Sequence, residues 1–516
     1  MKINKTEILY ILTLILIAFG LRSYDILNFP WGLHVDEVDK ILMSISADWK
    51  HPPAFFYGWK SGGRNTIYIY LIKFSREILF GNTIFAIRII PVTIGTLTVL
   101  FYYLFNKQLF KNSKLAFLIS LPLCFALTHN TFSRLSLQTI LVPFFIMLIA
   151  NFYIAFINST NKRFLYFYSI FLGLGIYSYY SFLAVIPIGV LVLMFLLYKK
   201  IINLKFFFIL CLIIMLVISP MISFWANKEN RNEYFRRSQG ISITNPIWHH
   251  NSEKWFIKTI FYNSYVVLNK LTINSYTDER NNYRYQIPFK GMVDPFILIL
   301  FITSLYLYIK SKYQTKEKLE KLILGISILI ASTLGAIITV DLRGYTVRLL
   351  PTFTFIFLTL SFLIYFVQQN YKIKYLNKIL FLTICLSILF NFYSIFFTLK
   401  TQWATRERFD EDYYNLGLIL KKRLENNQNL VIYMPDGDER YKNILYTNFG
   451  RKIIVKVDQY KVFNKIPETN VDKIMVIRES DFNKKVNKYS LFKNRFSNVQ
   501  TIPKLRAYGF VIIEFR

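Results

Sequence analysis

Trp31-Gly-Leu-His-Val-Asp-Glu-Val-Asp-Lys40, running on through His51-Pro-Pro53 to Arg64, places three carboxylates (Asp36, Glu37, Asp39) within four positions, just after the first apolar segment. Nearly all the sequence around it is apolar. An acidic side chain at the centre of a membrane helix costs roughly 2.5–3.5 kcal/mol on insertion scales. The cluster therefore sits in water just beyond a membrane helix, or lines a polar cavity. It reads as the catalytic loop of a membrane enzyme.

Composition agrees. The 516 residues are 54% hydrophobic and only 18% charged, with 50 Phe and 36 Tyr, which is too little charge to keep a soluble chain of this size dispersed. The net charge of +32 does not point to nucleic acid, because the basic residues lie between apolar runs. Membrane topology and anionic lipid explain that distribution. Cys124, Cys211 and Cys385 fall inside apolar runs with no metal or disulfide spacing, and read as small buried hydrophobes. Lys2 and Lys5 precede the apolar run Ile8 to Leu21, but no small-x-small cleavage site follows, so this run is expected to stay as an uncleaved anchor.

Stretches of crossing length, about 17–25 residues, recur to residue 400. The expected spans are 7–26, 83–105, 115–130, 137–157, 164–179, 181–198, 204–226, 292–309, 321–340, 346–367 and 376–399, about eleven in all. Alternate loops are rich in lysine: Lys107, Lys111 and Lys114; Lys162 and Arg163; Lys199, Lys200 and Lys205; Lys310 to Lys321; Lys372 to Lys378. The other short loops hold little more than Arg134, Arg343 and Arg348. This asymmetry puts the N-terminus in the cytoplasm, and the loops 27–82 and 227–291 and the tail outside. Ile67–Leu79 and Glu253–Leu271 mix aromatics with charges, as juxtamembrane helices in the headgroup plane do. Beyond 400 an amphipathic helix (Glu407–Leu424) and short apolar runs at Leu430–Met434, Ile453–Val457, Ile474–Ile477 and Phe510–Phe515 predict a small extracytoplasmic α/β domain over 401–516. Asp436-Gly-Asp438 reads as a turn between strands.

Asp36 and Glu37 are the candidate catalytic pair. A carboxylate within hydrogen-bond reach of an acceptor hydroxyl or amine can act as its base. A competing reading makes Asp36 the cap of a helix starting near Val35, with Glu37 on its first turn and Lys40 four residues on. Lys60, Arg64, Arg88, Arg134, Arg343 and Arg348 are basic residues on the face that ordinarily avoids positive charge. A lipid-linked phosphate would account for them, since guanidinium grips phosphate as a fork, and snorkelling to headgroups is the simpler alternative. His34, His51, His249 and His250 show no ligand spacing and read as loop histidines, so no metal site is expected.

One anchor followed by an outer loop with Asp-Glu at the start of a short helix resembles the glycosyltransferase-C enzymes. Within them the chain is similar to the protein O-mannosyltransferase and aminoarabinose transferase group. Pro52-Pro53 with following aromatics, Leu79-Phe-Gly-Asn-Thr-Ile-Phe-Ala-Ile-Arg88, Phe132-Ser-Arg134, Gly173-Leu-Gly-Ile-Tyr-Ser-Tyr179 and Arg348 with Pro351 carry the likeness, which covers roughly residues 1–400. Asp39 and Lys40 depart from the family's continuation of Asp-Glu, and the tail does not resemble a large sugar-binding module.

The resemblance implies an α-helical polytopic membrane glycosyltransferase of the plasma (inner) membrane that uses a polyprenyl-phosphate sugar on its outer face, with a lipid, glycan or protein as acceptor. Asp36 would deprotonate the acceptor for an inverting attack, and Glu37 would orient the acceptor or a divalent cation. Arginines such as Arg134 and Arg348 would stabilise the phosphate leaving group. An oligosaccharide ligase or polymerase is the alternative within enzymes. A lipid or solute transporter is the alternative outside them, and the scarcity of mid-span charges weighs against it.

Overall fold

Helices long and apolar enough to cross a bilayer dominate the computed structural model. It describes residues 5–56, 64–245, 253–274, 287, 289–311, 316–340, 345–371, 376–400, 411–426, 431–433, 473–478, 496–502 and 510–515. By their internal contacts the residues fall into two units, Met1–Ile26 with Met43–Thr401, and Leu27–Leu42 with Gln402–Arg516.

In the first unit, eight helices among the described residues meet the length and hydropathy of a membrane span: Lys5–Ser23, Ile84–Phe110, Gln138–Ser159, Tyr180–Tyr198, Leu204–Ala226, Leu319–Ile337, Leu350–Asn370 and Leu376–Leu399. The expected span at 115–130 is instead a pair, Ser113–Phe125 and Leu127–Arg134, bent by 62°. Side chains satisfy the backbone groups released at the break, as a lipid environment demands. Asn130 Nδ2 donates to the carbonyls of Cys124 (2.9 Å) and Ala126 (3.1 Å), and the Leu127 amide donates to Asn391 Oδ1 (2.9 Å). Two further expected spans are shorter apolar helices, Arg163–Tyr177 and Pro295–Lys310. The chain is thus an integral multi-pass membrane protein, with eight full-length spans among the described residues against the eleven expected.

Lipid removes the hydrophobic drive between helices, so packing and interhelical hydrogen bonds hold the bundle. Glu7 and Lys107 form a buried ion pair between the first two spans. Tyr102 Oη donates to the Phe357 carbonyl (3.0 Å) and meets Ser361 Oγ (2.8 Å). Asn151 Nδ2 donates to the Phe101 carbonyl (2.6 Å), and Gln108 Nε2 donates to Asn151 Oδ1 (3.0 Å). The outward surface of these helices is apolar, with Leu9, Leu12, Leu16, Phe208, Leu212 and Leu216 all exposed.

Helix Thr66–Phe74 and its wider last turn Ser75–Phe80 bury Tyr68, Ile69 and Ile72 and expose Phe74, Ile78, Leu79 and Phe80. Helix Glu253–Thr272 buries Asn263, Val266, Val267 and Lys270 while Ile257, Phe261, Tyr265 and Leu268 face out. Both have the two-sided pattern of helices lying in the headgroup plane.

In the second unit, helix Glu411–Asn426 buries Tyr413, Leu416 and Leu420, one stripe at helical spacing. Four strands form a sheet in the order Val431–Tyr433, Lys473–Arg478, Phe510–Phe515, Phe496–Ile502. The first pair is parallel and the other two are antiparallel. Phe496–Ile502 was not read as a strand because its apolar residues are diluted by Ser497, Asn498 and Gln500. Ile453–Val457 and Asp436-Gly-Asp438 lie outside the described residues.

Candidate active site

Asp36 and Glu37 open the helix Val35–Ser46, but neither supplies its N-cap. That role falls to His34, whose carbonyl accepts the amides of Glu37 (2.8 Å) and Val38 (3.1 Å) and whose Nδ1 accepts the Asp36 amide at 3.0 Å. Glu37, three positions on, reaches back to accept the His34 amide on Oε2 at 3.1 Å. This is a capping box with an imidazole in place of the usual hydroxyl, and it satisfies two orphan donors of the first turn. Glu37 is fully buried, whereas the Asp36 side chain keeps 28% of its surface, its Oδ2 3.4 Å from His34 Nδ1. Asp39 and Lys40 are buried, and Lys40 Nζ donates to the Asp36 carbonyl. The expected pair is therefore present at a helix N-terminus with its two members differently engaged.

Arg88 and Arg134 sit in the first unit, and both are buried. Arg134 Nη1 donates to the carbonyls of Leu21 (2.9 Å) and Arg22 (3.1 Å), its Nη2 donates to that of Tyr24, and Arg88 Nη1 donates to that of Ile26 (2.9 Å). The carbonyls at the end of helix Lys5–Ser23 have no intrahelical partners and carry the negative end of its dipole. Guanidinium donors answer both needs. Those donors hold the chain segment that leads to His34, and they are not available to a phosphate.

A third buried arginine, Arg22, was not singled out from the sequence. Its Nε donates to Ser133 Oγ (3.2 Å), its Nη1 to the Ala18 and Cys124 carbonyls (2.9 and 3.2 Å), and its Nη2 meets His129 Nδ1 at 2.8 Å. The polar run Thr128-His-Asn-Thr-Phe-Ser-Arg134 inside an apolar span was the signal that could have found it. Asp25, in the left-handed region (φ 54°), pairs with Lys400 at 3.0 Å and fixes the same segment from the other side.

Arg348 is half-buried, and its Nη1 donates to Thr339 Oγ1 at 2.9 Å. Thr339 bridges Ser242, and its carbonyl accepts from Asn263 Nδ2 at 3.0 Å, so Arg348 stands in a knot of three segments. Arg64 lies in a two-stranded hairpin, Phe55–Phe56 with Arg64–Asn65. Lys60, Arg343, His249 and His250 lie outside the described residues. His51 pairs with Asp48 (3.1 Å), whose carboxyl the Lys50 amide, and then His51, hold below its usual range. Among the described residues no three His, Cys, Asp or Glu side chains gather as metal ligands.

The family model described as dolichyl-phosphate-mannose-protein mannosyltransferase matches residues 66–224. No curated protein sequence matches the chain significantly. Among solved structures, ArnT from Cupriavidus metallidurans bound to undecaprenyl phosphate superposes with a TM-score of 0.61 at 10% identity, covering 98% of this chain and 97% of that one. Its apo state gives 0.60 at the same identity and coverage. The Archaeoglobus fulgidus oligosaccharyltransferase tethered to an acceptor peptide gives 0.48 at 10% identity, covering 98% of this chain and 74% of that one. The chain thus shares the fold of these solved structures over nearly its whole length, and its segment 66–224 is similar to the mannosyltransferase family.

Proposed function

We propose that the chain transfers a sugar from a polyprenyl-phosphate donor to an acceptor on the outer face of the plasma (inner) membrane, with the N-terminus in the cytoplasm. The observation that carries the chemistry is the division of labour at the helix start. The buried Glu37 carboxylate is hydrogen-bonded to the His34 amide, while Asp36, one residue earlier, keeps part of its carboxylate surface. The family match over 66–224 supports glycosyl transfer, and an undecaprenyl phosphate ligand in a protein of the same fold supports a lipid-phosphate donor.

In the proposed reaction the Asp36 carboxylate takes the proton of an acceptor hydroxyl or amine. The acceptor atom bonds to the anomeric carbon from the face opposite the phosphate, the bond from that carbon to the phosphate oxygen breaks, and polyprenyl phosphate leaves with the electron pair. Configuration inverts. The leaving group is already anionic, so it needs cationic hydrogen-bond donors more than a proton. Arg348 is one candidate, with Lys60, Arg64 and Arg343 as others. Glu37 shapes the helix start that presents Asp36.

The test is transfer of radiolabel from undecaprenyl-phosphate hexoses in proteoliposomes of the full chain. Parental protein should label an acceptor and Asp36→Asn should not. Equal labelling by both would refute Asp36 as the base.

A further inference from the structure

An aromatic cluster lies apart from the residues discussed so far, wholly within the first unit. Phe55 meets Tyr234 (ring centroids 4.9 Å, tilted 54°) and Phe224 (5.4 Å, tilted 48°). Tyr234 also meets Tyr180 (4.8 Å), Trp225 (5.2 Å) and Phe235 (4.9 Å). The cluster draws on the paired strands Phe55–Phe56 and Arg64–Asn65, the turn at 175–181, the end of helix Leu204–Ala226 and helix Lys228–Gly240.

Its polar groups are unusual. Asn65 and Tyr234 are almost wholly buried. Asn65 spends Nδ2 on the Ile176 carbonyl (2.9 Å), yet its Oδ1 accepts no hydrogen bond, and neither the Tyr234 hydroxyl, the Trp225 Nε1 nor the Ser181 hydroxyl has a partner. Burial pushes the Tyr234 phenol up, against a downward pull from the Asn65 amide beside it, although the two make no hydrogen bond of ordinary geometry. Roughly nine in ten buried polar groups in proteins are hydrogen-bonded. Four orphans beside packed aromatic rings are therefore a feature in need of a cause. A structural core would be cheaper with phenylalanine at 234 and leucine at 65.

We propose that the cluster is a pyranose subsite. A sugar ring offers an apolar C–H face to aromatic rings and hydroxyls on its edge that both donate and accept. The orphans are its complement: an acceptor at Asn65 Oδ1, a donor at Trp225 Nε1, and groups of both kinds at Tyr234 and Ser181. Phe224, Trp225 and Phe235 are half-buried and form the rim. The proposal rests on the glycosyl-transfer reading, and it names the residues that would recognise the sugar of either the donor or the acceptor.

Full-length protein carrying 5-fluorotryptophan, in lipid nanodiscs, tests it by fluorine NMR, with the Trp225 resonance assigned through Trp225→Phe. The methyl pyranosides of mannose, glucose, galactose and N-acetylglucosamine are the probes. At least one should shift the Trp225 resonance saturably. Tyr234→Phe should weaken that binding about tenfold, the loss of one neutral hydrogen bond, without lowering the thermal midpoint, because an unpartnered buried hydroxyl is being removed. No shift with any pyranoside overturns the proposal, and so does unchanged affinity in both Tyr234→Phe and Asn65→Ala. If preloading with an undecaprenyl-phosphate hexose abolishes the shift, the subsite takes the donor sugar. If the shift survives preloading, it takes a sugar of the acceptor. Radiolabel transfer by the same preparation is read separately, so failed transfer counts against the glycosyl-transfer reading and leaves the ring shift as evidence for the subsite.

Discussion

The Glu37 carboxylate accepts the His34 amide at 3.1 Å while His34 Nδ1 accepts the Asp36 amide at 3.0 Å. This reciprocal arrangement separates the functions of two adjacent acids. An Nδ1 that accepts a backbone N–H carries no proton, so the imidazole hydrogen sits on Nε2. The 3.4 Å approach of Asp36 Oδ2 to the same Nδ1 is then not a hydrogen bond. The imidazole serves the helix start, and the Asp36 side chain keeps part of its surface exposed.

Substitution should separate the two acids. Asp36→Asn is expected to lower transfer by about 10²–10⁴, the usual worth of a positioned base, with the thermal midpoint close to parental. Glu37→Ala should instead cost about 1 kcal/mol of stability, as loss of a helix cap does, and leave the folded fraction within a few-fold of parental turnover. Radiolabel transfer and thermal unfolding of the same preparations check both. A Glu37 variant that keeps its midpoint and loses transfer would reverse the assignment.

Arg134 should behave as a structural residue. Hydrogen bonds from charged donors are worth about 1.5–3 kcal/mol each when buried, and Arg134 makes three to carbonyls at the end of the first span. Arg134→Met is expected to lower the thermal midpoint by many degrees or to abolish membrane accumulation. Gly95→Ala should do the same by another route, because an added Cβ would lie 2.1 Å from Ser133 Oγ and 3.1 Å from Arg22 Nε. Unfolding in nanodiscs and membrane yield are the measurements. Normal stability with a raised donor KM would return Arg134 to the phosphate.

How much of this the chain discloses depends on the length scale. Apolar runs of span length and the lysine-rich loops set most helix positions within a few residues, because lipid forces every backbone group into a helix. Asp36-Glu37 stood out because acids are scarce beside a membrane segment. The break at Ala126 did not, since it depends on Asn391, 264 positions away along the chain. The competing reading of Asp36 as the cap rests on aspartate outranking histidine at that position, and the His34 Nδ1 geometry gives the cap to His34 instead. For Arg88 and Arg134 the sequence shows that a charge is present, not which carbonyls it meets.

Arg348 is the arginine expected to act on the donor. It is half-buried, and its Nη1 donates to the Thr339 hydroxyl at 2.9 Å. Arg348→Met should raise KM for an undecaprenyl-phosphate hexose about tenfold, close to the value of one charge-assisted contact. Arg348→Lys should recover part of the loss, since an ammonium binds phosphate as a point charge without the fork. Steady-state kinetics with the labelled donor distinguish this from a stability defect, which would lower the active fraction and leave KM unchanged.

Lys270 should make the first unit sensitive to alkaline pH. Burial pushes its ammonium down from 10.5 to about 8, with Nζ donating to Asn274 Oδ1 at 2.9 Å. A lysine whose folded pKa lies below its unfolded value binds its proton more weakly in the native state, so folding carries a penalty while the group is protonated. That penalty is complete below about pH 8 and falls away as pH rises from there towards 10.5. Stability should therefore gain up to about 1.4 kcal/mol per pH unit in that window from this group. Lys270→Met should remove the slope and raise stability at neutral pH, since its apolar chain fills the same space without the charge. Denaturant unfolding of both proteins at a series of pH values from 7 to 10 measures the difference. Parallel curves would show that Lys270 is not desolvated in the folded protein.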